Sequence, residues 1–246
     1  MVREGKLFVI EGPDGSGKST MVSHLATRMH NSGFYTEGMA LPNSDSKLYE
    51  EIRKYLKCKN LDVDILQNMM IQNMDDCFAK IILPKLEQGI NIILDRWAIS
   101  TIIYNFVGNG SLIESEYITN QNEIDLERIV RRASCFKWPD KIYYLNTPKS
   151  NILNVSMARF VKDEDEEVFD KLSNIGLVYN AYQEFMKAIV DRKKKFKGYR
   201  IYEFITSTNK DRHRIVDPEY GVTTNQNYLS MEDKIYFDML KDVGVI

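Results

Sequence analysis

The sequence predicts an α/β fold, a parallel sheet sandwiched between helices, and three observations point there. Short apolar runs alternate with helix-period segments. The runs lack the polar alternation of a half-exposed strand, as suits strands covered on both faces, and a glycine-rich turn joins the first run to the first helix. Five runs read as strands: Leu7 to Ile10, Phe34 to Met39, Ile90 to Leu94, Ile142 to Leu145 and Tyr199 to Ile205. The first helix is expected over Lys18 to Asn31, where Val22, Leu25, Ala26 and Met29 share a face and Gly33 supplies a stop. Similar periodicity predicts helices at Ser46 to Leu56, Asp64 to Gln88 with a bend at Pro84, Ile124 to Ser134, Ser150 to Phe160, Asp165 to Lys194 and Ser230 to Val243. Gly108 to Glu123 and Ser207 to Asn227, rich in polar and turn residues, read as surface insertions suited to a mobile flap.

Composition narrows the function classes. The 246 residues, 43% hydrophobic and 28% charged, are enough for one core, and we expect a single domain over 1–246. Lys plus Arg (33) against Asp plus Glu (35) gives −2, which removes the global positive field of a nucleic-acid-binding protein. The basic run 192–197 follows a predicted helix and reads as its solvated end. Cys58, Cys77 and Cys135 form no CxxC, and His24, His30 and His213 show no metal-ligand spacing. Free thiols, no zinc site and a cytoplasmic location are expected, since neither a signal peptide nor a membrane span is apparent.

The sharpest motif is Gly12-Pro13-Asp14-Gly15-Ser16-Gly17-Lys18-Ser19, which matches GxxxxGK[ST] between the first strand and the first helix. In that setting the glycines let the backbone N–H groups between Gly12 and Thr20, Pro13 aside, ring a nucleotide's phosphates, with Asp14, Gly15, Ser16 and Gly17 in the loop. Lys18 reaches the β and γ oxygens, and Ser19 takes a position on Mg²⁺. A guanine-reading NKxD is absent, because Asn209-Lys210-Asp211 lacks the spacer, which argues against a GTPase-like switch. The strand Ile90 to Leu94 ends in Asp95-Arg96 rather than in an acidic pair. Asp95 suits a Mg²⁺-bound water, and Arg96 suits a bidentate grip on a second phosphate, as an acceptor phosphoryl group requires.

These residues resemble the thymidylate kinases among the P-loop nucleoside monophosphate kinases. The resemblance rests on Phe8 to Thr20 (FVIEGPDGSGKST), on Leu86 to Trp97 (LEQGINIILDRW) with Ser100, Tyr104 and Asn105, and on Trp138-Pro139-Asp140 leading into Lys141 to Asn146. It implies a three-layer α/β/α P-loop kinase fold with a five-stranded parallel sheet in the order 2-3-1-4-5. It also implies ATP- and Mg²⁺-dependent conversion of dTMP to dTDP, and a homodimer.

Carried over by position, Asp14 accepts from the acceptor sugar's 3′-hydroxyl, Arg96 holds its 5′-phosphate with Ser100 nearby, and Tyr104 packs where a 2′-hydroxyl would project. Asn105 stands at the family's base-contacting Gln, and Pro42 at its nucleotide-lining proline. The lid falls near 157–167, with Arg159 its catalytic arginine; the acidic run 163–167 doubles as a solvated helix start. Ile71 stands near the family's base-stacking Phe, and Asp75 near its carbonyl-reading Arg. Ile packs on a base without a π system, and an ionised Asp accepts rather than donates. The residues therefore leave open a modified or amino-bearing pyrimidine such as 5-hydroxymethyl-dUMP, a modified base within DNA, and, in a different class, a non-catalytic ATP-binding module. The divergent base pocket and lid suggest a viral or otherwise fast-evolving lineage.

Overall fold

The computed structural model describes residues 3–58, 60–108, 139–160, 172–191, 201–205, 213–217, 221–225 and 231–244. The strands are β1 (Leu7–Glu11), β2 (Thr36–Ala40), β3 (Asn91–Asp95), β4 (Lys141–Asn146), β5 (Ile201–Ile205), β6 (His213–Asp217) and β7 (Gly221–Asn225). Helices are α1 (Lys18–Asn31), α2 (Tyr49–Leu56), α3 (Val63–Cys77), α4 (Leu83–Glu87), α5 (Ala98–Gly108), α6 (Lys149–Phe160), α7 (Leu172–Asp191) and α8 (Met231–Asp242). The sheet runs β2-β3-β1-β4-β5-β6-β7. Its first five strands are parallel and follow the expected order 2-3-1-4-5.

Burial on both faces explains the uniform apolarity of the central strands. Leu7 and Val9 of β1, Ile92 and Leu94 of β3, and Ile142 and Tyr144 of β4 pack with α2, α3, α4, α5 and α7. The alternate residues Phe8, Ile10, Ile93, Tyr143 and Leu145 pack on the other face against α1 and α8. Each strand thus feeds two cores with period two, and no polar position interrupts it.

The boundaries depart from the sequence reading in physically readable ways. α3 starts one residue early because Asp62 caps it, accepting from Asp64 N at 3.0 Å and Ile65 N at 3.1 Å. We expect Asp62→Ala to cost about 1 kcal/mol, seen as a lower denaturation midpoint at unchanged slope. The predicted continuous helix to Gln88 is instead broken by a π-helical turn over Phe78–Ile82. Pro84, which has no N–H to donate, falls in the first turn of the following α4, where none is needed. α2 begins at Tyr49 rather than Ser46, whose hydroxyl accepts from Leu48 N at 3.3 Å in a turn before the helix.

The largest difference is in the segment 207–227, read as an insertion. It contains β6 and β7, an antiparallel hairpin whose first strand pairs antiparallel with β5 and widens the sheet to seven strands. Its Asn, Asp and Thr content suggested a loop, but Ile215, Val216, Val222, Thr223 and Thr224 are β-branched and favour strands. Beyond the hairpin, α8 is tied down by ion pairs from buried Lys141 to Asp238 (2.8 Å) and Asp242 (3.0 Å). Arg3 also donates to the Val243 carbonyl at 2.7 Å. The predicted helix 124–134, insertion residues 109–123, lid residues 161–167 and the basic run 192–197 lie outside the described residues. Among the described residues, no helix is long and apolar enough to cross a membrane, and Cys58 and Cys77 are free thiols.

Candidate active site

The end of β1 turns into the loop 12–17, and two glycines make that turn possible. At Gly12 (φ +151°) a Cβ would meet Ser16 Oγ at 2.8 Å and the Leu145 carbonyl at 3.0 Å. At Gly15 (φ +80°) it would lie 3.2 Å from the Ile152 carbonyl, so α6 packs directly on the loop. Gly17 caps α1 with no side-chain hydrogen bond, leaving the first N–H groups of the helix to face a ligand. Thr147 Oγ1 donates to the Ser16 carbonyl at 3.3 Å and fixes the loop to the end of β4.

Lys18 is buried and curls over the loop, its Nζ donating to the Pro13 carbonyl at 2.9 Å and lying 3.9 Å from Asp14. Burial and the charge of Arg96 lower its pKa to about 8, against the opposing pull of Asp14, Asp95 and Glu11. Beside it, Ser19 Oγ donates to Asp95 Oδ2 at 2.5 Å. Asp95 itself is buried, and its Oδ1 has no hydrogen-bond partner among the described residues. A carboxylate oxygen with unused lone pairs next to a hydroxyl fits a hard divalent cation that keeps most of its waters. Ser16 Oγ is likewise buried without a partner, while Thr20 is exposed.

Arg96 follows at the end of β3 and, among the described residues, is the one non-glycine with positive φ (+78°). Its N–H is held by the Ile10 carbonyl at 3.0 Å, which aims the side chain back across the mouth of the P-loop. There the guanidinium donates to Ser100 Oγ at 3.1 Å and to Asp14, and its carbon lies 5.2 Å from the centre of the Tyr104 ring. Tyr104 Oη donates to the other oxygen of Asp14. Burial pushes the Asp14 carboxyl up, yet the charges of Arg96 and Lys18 and these hydrogen bonds hold it well below the usual carboxylate range. Burial likewise keeps the Tyr104 hydroxyl protonated far above its ordinary value. Asp14, Lys18, Ser19, Asp95, Arg96, Ser100 and Tyr104 therefore form one cluster.

Pro42 sits on the neighbouring loop, pinned on one side by Leu41 N donating to the Asp95 carbonyl at 3.0 Å. On the other side, Asn73 of α3 exchanges hydrogen bonds with the Asn43 backbone at 2.7 and 3.2 Å. Ile71 on the same helix is buried, and Asp75 is half-buried. Asn105 is not drawn into the cluster: its amide donates to Asp64 Oδ1 at 3.2 Å. Arg159 falls in the last turn of α6, where only the backbone is described.

Three buried contributors are given no role by the motifs: Glu11, Tyr182 and Asn73. Glu11 accepts from Trp97 N at 2.7 Å, Ser100 N at 3.3 Å, Ser100 Oγ at 2.7 Å and Tyr182 Oη at 3.2 Å. Its signal in the sequence is a carboxylate ending an otherwise apolar strand. Desolvation pushes its pKa up, against hydrogen bonds from Ser100 and Trp97 and the charges of Arg96 and Lys18.

The thymidylate kinase family model matches residues 10–197, a span that runs from the end of β1 through the whole cluster. The chain belongs to the thymidylate kinase family. Its relatives include the thymidylate kinase of Plasmodium falciparum, 26% identical over 185 residues, which are 74% of this chain and 78% of that protein. The thymidylate kinase of Leptospira borgpetersenii is 28% identical over 188 residues, 74% of this chain and 82% of its own. That of Danio rerio is 32% identical over 113 residues, covering 46% and 53%. In fold, the chain is similar to the solved thymidylate kinase of Candida albicans, with a TM-score of 0.60, 20% identity, and coverage of 98% of this chain and 91% of that one. Members of the family are nucleoside monophosphate kinases; β5 to β7 and α8 lie beyond the matched span.

Proposed function

We propose that this protein transfers the γ-phosphoryl group of ATP to dTMP, giving ADP and dTDP, with Mg²⁺ at Ser19 and Asp95. The observation that carries this reading is the pairing of two phosphate-binding elements across one gap. Lys18 faces it from the P-loop, and Arg96 faces it from the end of β3, bound to Asp14. An acceptor phosphate oxygen attacks the γ-phosphorus, and the bond from that phosphorus to the β–γ bridging oxygen breaks. The acceptor phosphate is largely dianionic at neutral pH, with a second pKa near 6, so no general base is required. Catalysis is positioning and charge neutralisation. When bound, Mg²⁺ offsets the charge on the β and γ oxygens.

In this assignment Gly12, Asp14, Gly15, Ser16, Gly17, Lys18, Ser19 and Thr20 cradle ATP, and Arg159 completes the charge on the transferring group. Arg96 holds the acceptor phosphate with Ser100 nearby, Asp14 its 3′-hydroxyl, and Pro42, Ile71, Asp75, Tyr104 and Asn105 line the nucleoside. Tyr104, bonded to Asp14, occupies the space beside the sugar and favours deoxyribose. We take the chain as a single domain that works as a cytoplasmic homodimer on free nucleotides. An ADP-release assay over dTMP, dUMP, 5-hydroxymethyl-dUMP, dCMP, dAMP, dGMP and ribo-TMP tests the acceptor. The expected result is preference for dTMP. A faster amino-bearing acceptor would transfer specificity to Asp75, and silence with every acceptor would overturn the assignment.

The lowered pKa of Lys18 sets a pH dependence. The ammonium is present below about pH 8 and lost above it, so kcat/KM for ATP, which reports the free enzyme, is expected to fall as pH rises through 8. A pH profile with dTMP saturating checks it; a flat profile to pH 9.5 contradicts it.

A further inference from the structure

We infer that Glu11, a residue outside the phosphate-binding set, is a positioning residue for the acceptor phosphate, acting through the Ser100 hydroxyl on Arg96; the inference rests on the function proposed above. Glu11 closes β1 with its side chain fully buried between that strand, α5 and α7. One carboxylate oxygen accepts the N–H groups of Trp97 and Ser100, donors at the start of α5 that have no partner within the helix. A side chain from a distant strand thus does the work of a helix cap, at a place where Trp97 is itself only 2% exposed and water does not reach.

The other oxygen sets the direction of a proton. Ser100 Oγ has one hydrogen and two lone pairs. Donating its hydrogen to Glu11 Oε2 at 2.7 Å leaves one lone pair for Arg96 Nη1 at 3.1 Å and the other for Tyr182 Oη at 2.8 Å, whose single hydrogen is shared with Glu11 Oε2 at 3.2 Å. The chain of donors runs Arg96 to Ser100 to Glu11, with Tyr182 closing it from α7. An acceptor without a proton of its own is what this arrangement requires. An amide in its place keeps the helix cap through its carbonyl oxygen, but its NH₂ then faces Ser100. The serine must then accept from it, and its proton turns to Tyr182 Oη at 2.8 Å. The lone pair left for Arg96 is no longer backed by a carboxylate, so the arginine is held more weakly while the fold stays intact.

Glu11→Gln therefore separates positioning from plain packing. In the full-length enzyme the expected result is a melting temperature near wild type, and KM and calorimetric Kd for dTMP raised roughly five- to tenfold. KM for ATP and kcat stay within about twofold, the pattern of a lost binding contact rather than lost transition-state stabilisation. In a Ser100→Ala background the same substitution is expected to add little, because the hydroxyl it misdirects is gone. A folded Glu11→Gln enzyme with wild-type affinity for dTMP, or an effect undiminished by Ser100→Ala, overturns the inference. Should Glu11→Gln not fold, Tyr182→Phe carries the test. It removes one donor from the same pair of oxygens and is expected to raise KM for dTMP two- to threefold at unchanged KM for ATP; no change overturns the inference. Failure of the functional reading is seen separately, as a wild-type enzyme that turns over no dTMP.

Discussion

Arg96→Ala is expected to lower kcat/KM for dTMP by at least about a thousandfold, some 4 kcal/mol of transition-state stabilisation, in a protein that still folds. The magnitude follows from the role. The guanidinium is the cation facing the acceptor side of the cluster, it spans Ser100 and Asp14, and its backbone is held in a left-handed conformation to reach them. Positive φ in a non-glycine residue is a cost tolerated where geometry matters more than local stability. Truncation removes the main opposing charge from Asp14, but that side chain is 38% exposed, so water hydrates the carboxylate in place of the arginine. Circular dichroism should show the same fold, and steady-state kinetics the loss. Arg96→Lys is expected to recover little, because a single ammonium cannot reproduce a planar fork. Near-wild-type turnover in folded Arg96→Ala would remove the acceptor assignment.

Lys18→Ala is expected to lower kcat about a thousandfold and to weaken ATP by about tenfold. Lys18 is the buried ammonium of the loop, and its loss leaves Glu11, Asp14 and Asp95 facing Arg96 without the second cation of the described cluster. The site then turns from a receptor for anions into one that repels them. Lys18→Arg is not expected to rescue it, since the side chain is 5% exposed and a guanidinium has no room to lie across the Pro13 carbonyl. Both variants are read in the same assay, with nucleotide affinity measured separately by calorimetry. A kcat within tenfold of wild type in either would contradict the role.

The residues legible from the sequence share a property: the chain itself fixes their relation. Gly12 to Ser19 are contiguous, and Asp95, Arg96, Ser100 and Tyr104 span one strand end and the first turns of a single helix. The family resemblance picks out Ser100 and Tyr104, and helical spacing keeps them beside Arg96. Glu11 and Tyr182 meet across 171 positions, and Asn73 reaches Asn43 across 30. No local pattern encodes such pairs, because packing decides them once the sheet has formed. The hairpin β6–β7 was hidden for a different reason: its polar composition outweighed the β-branched residues that make it a strand pair. The π-helical turn before Pro84 has no counterpart in the periodicity of Phe78–Ile82. Asn105 is a residue given a role by its position in the resemblance, and its amide donates to Asp64 Oδ1 on α3.

The most direct measurement of the central claim is ³¹P NMR of the protein with ATP, Mg²⁺ and dTMP, since it distinguishes transfer from hydrolysis in one spectrum. The account requires the dTMP resonance to be replaced by the two resonances of dTDP as ADP appears in equal amount. ADP appearing with inorganic phosphate while dTMP persists, or no change in any resonance, would contradict it.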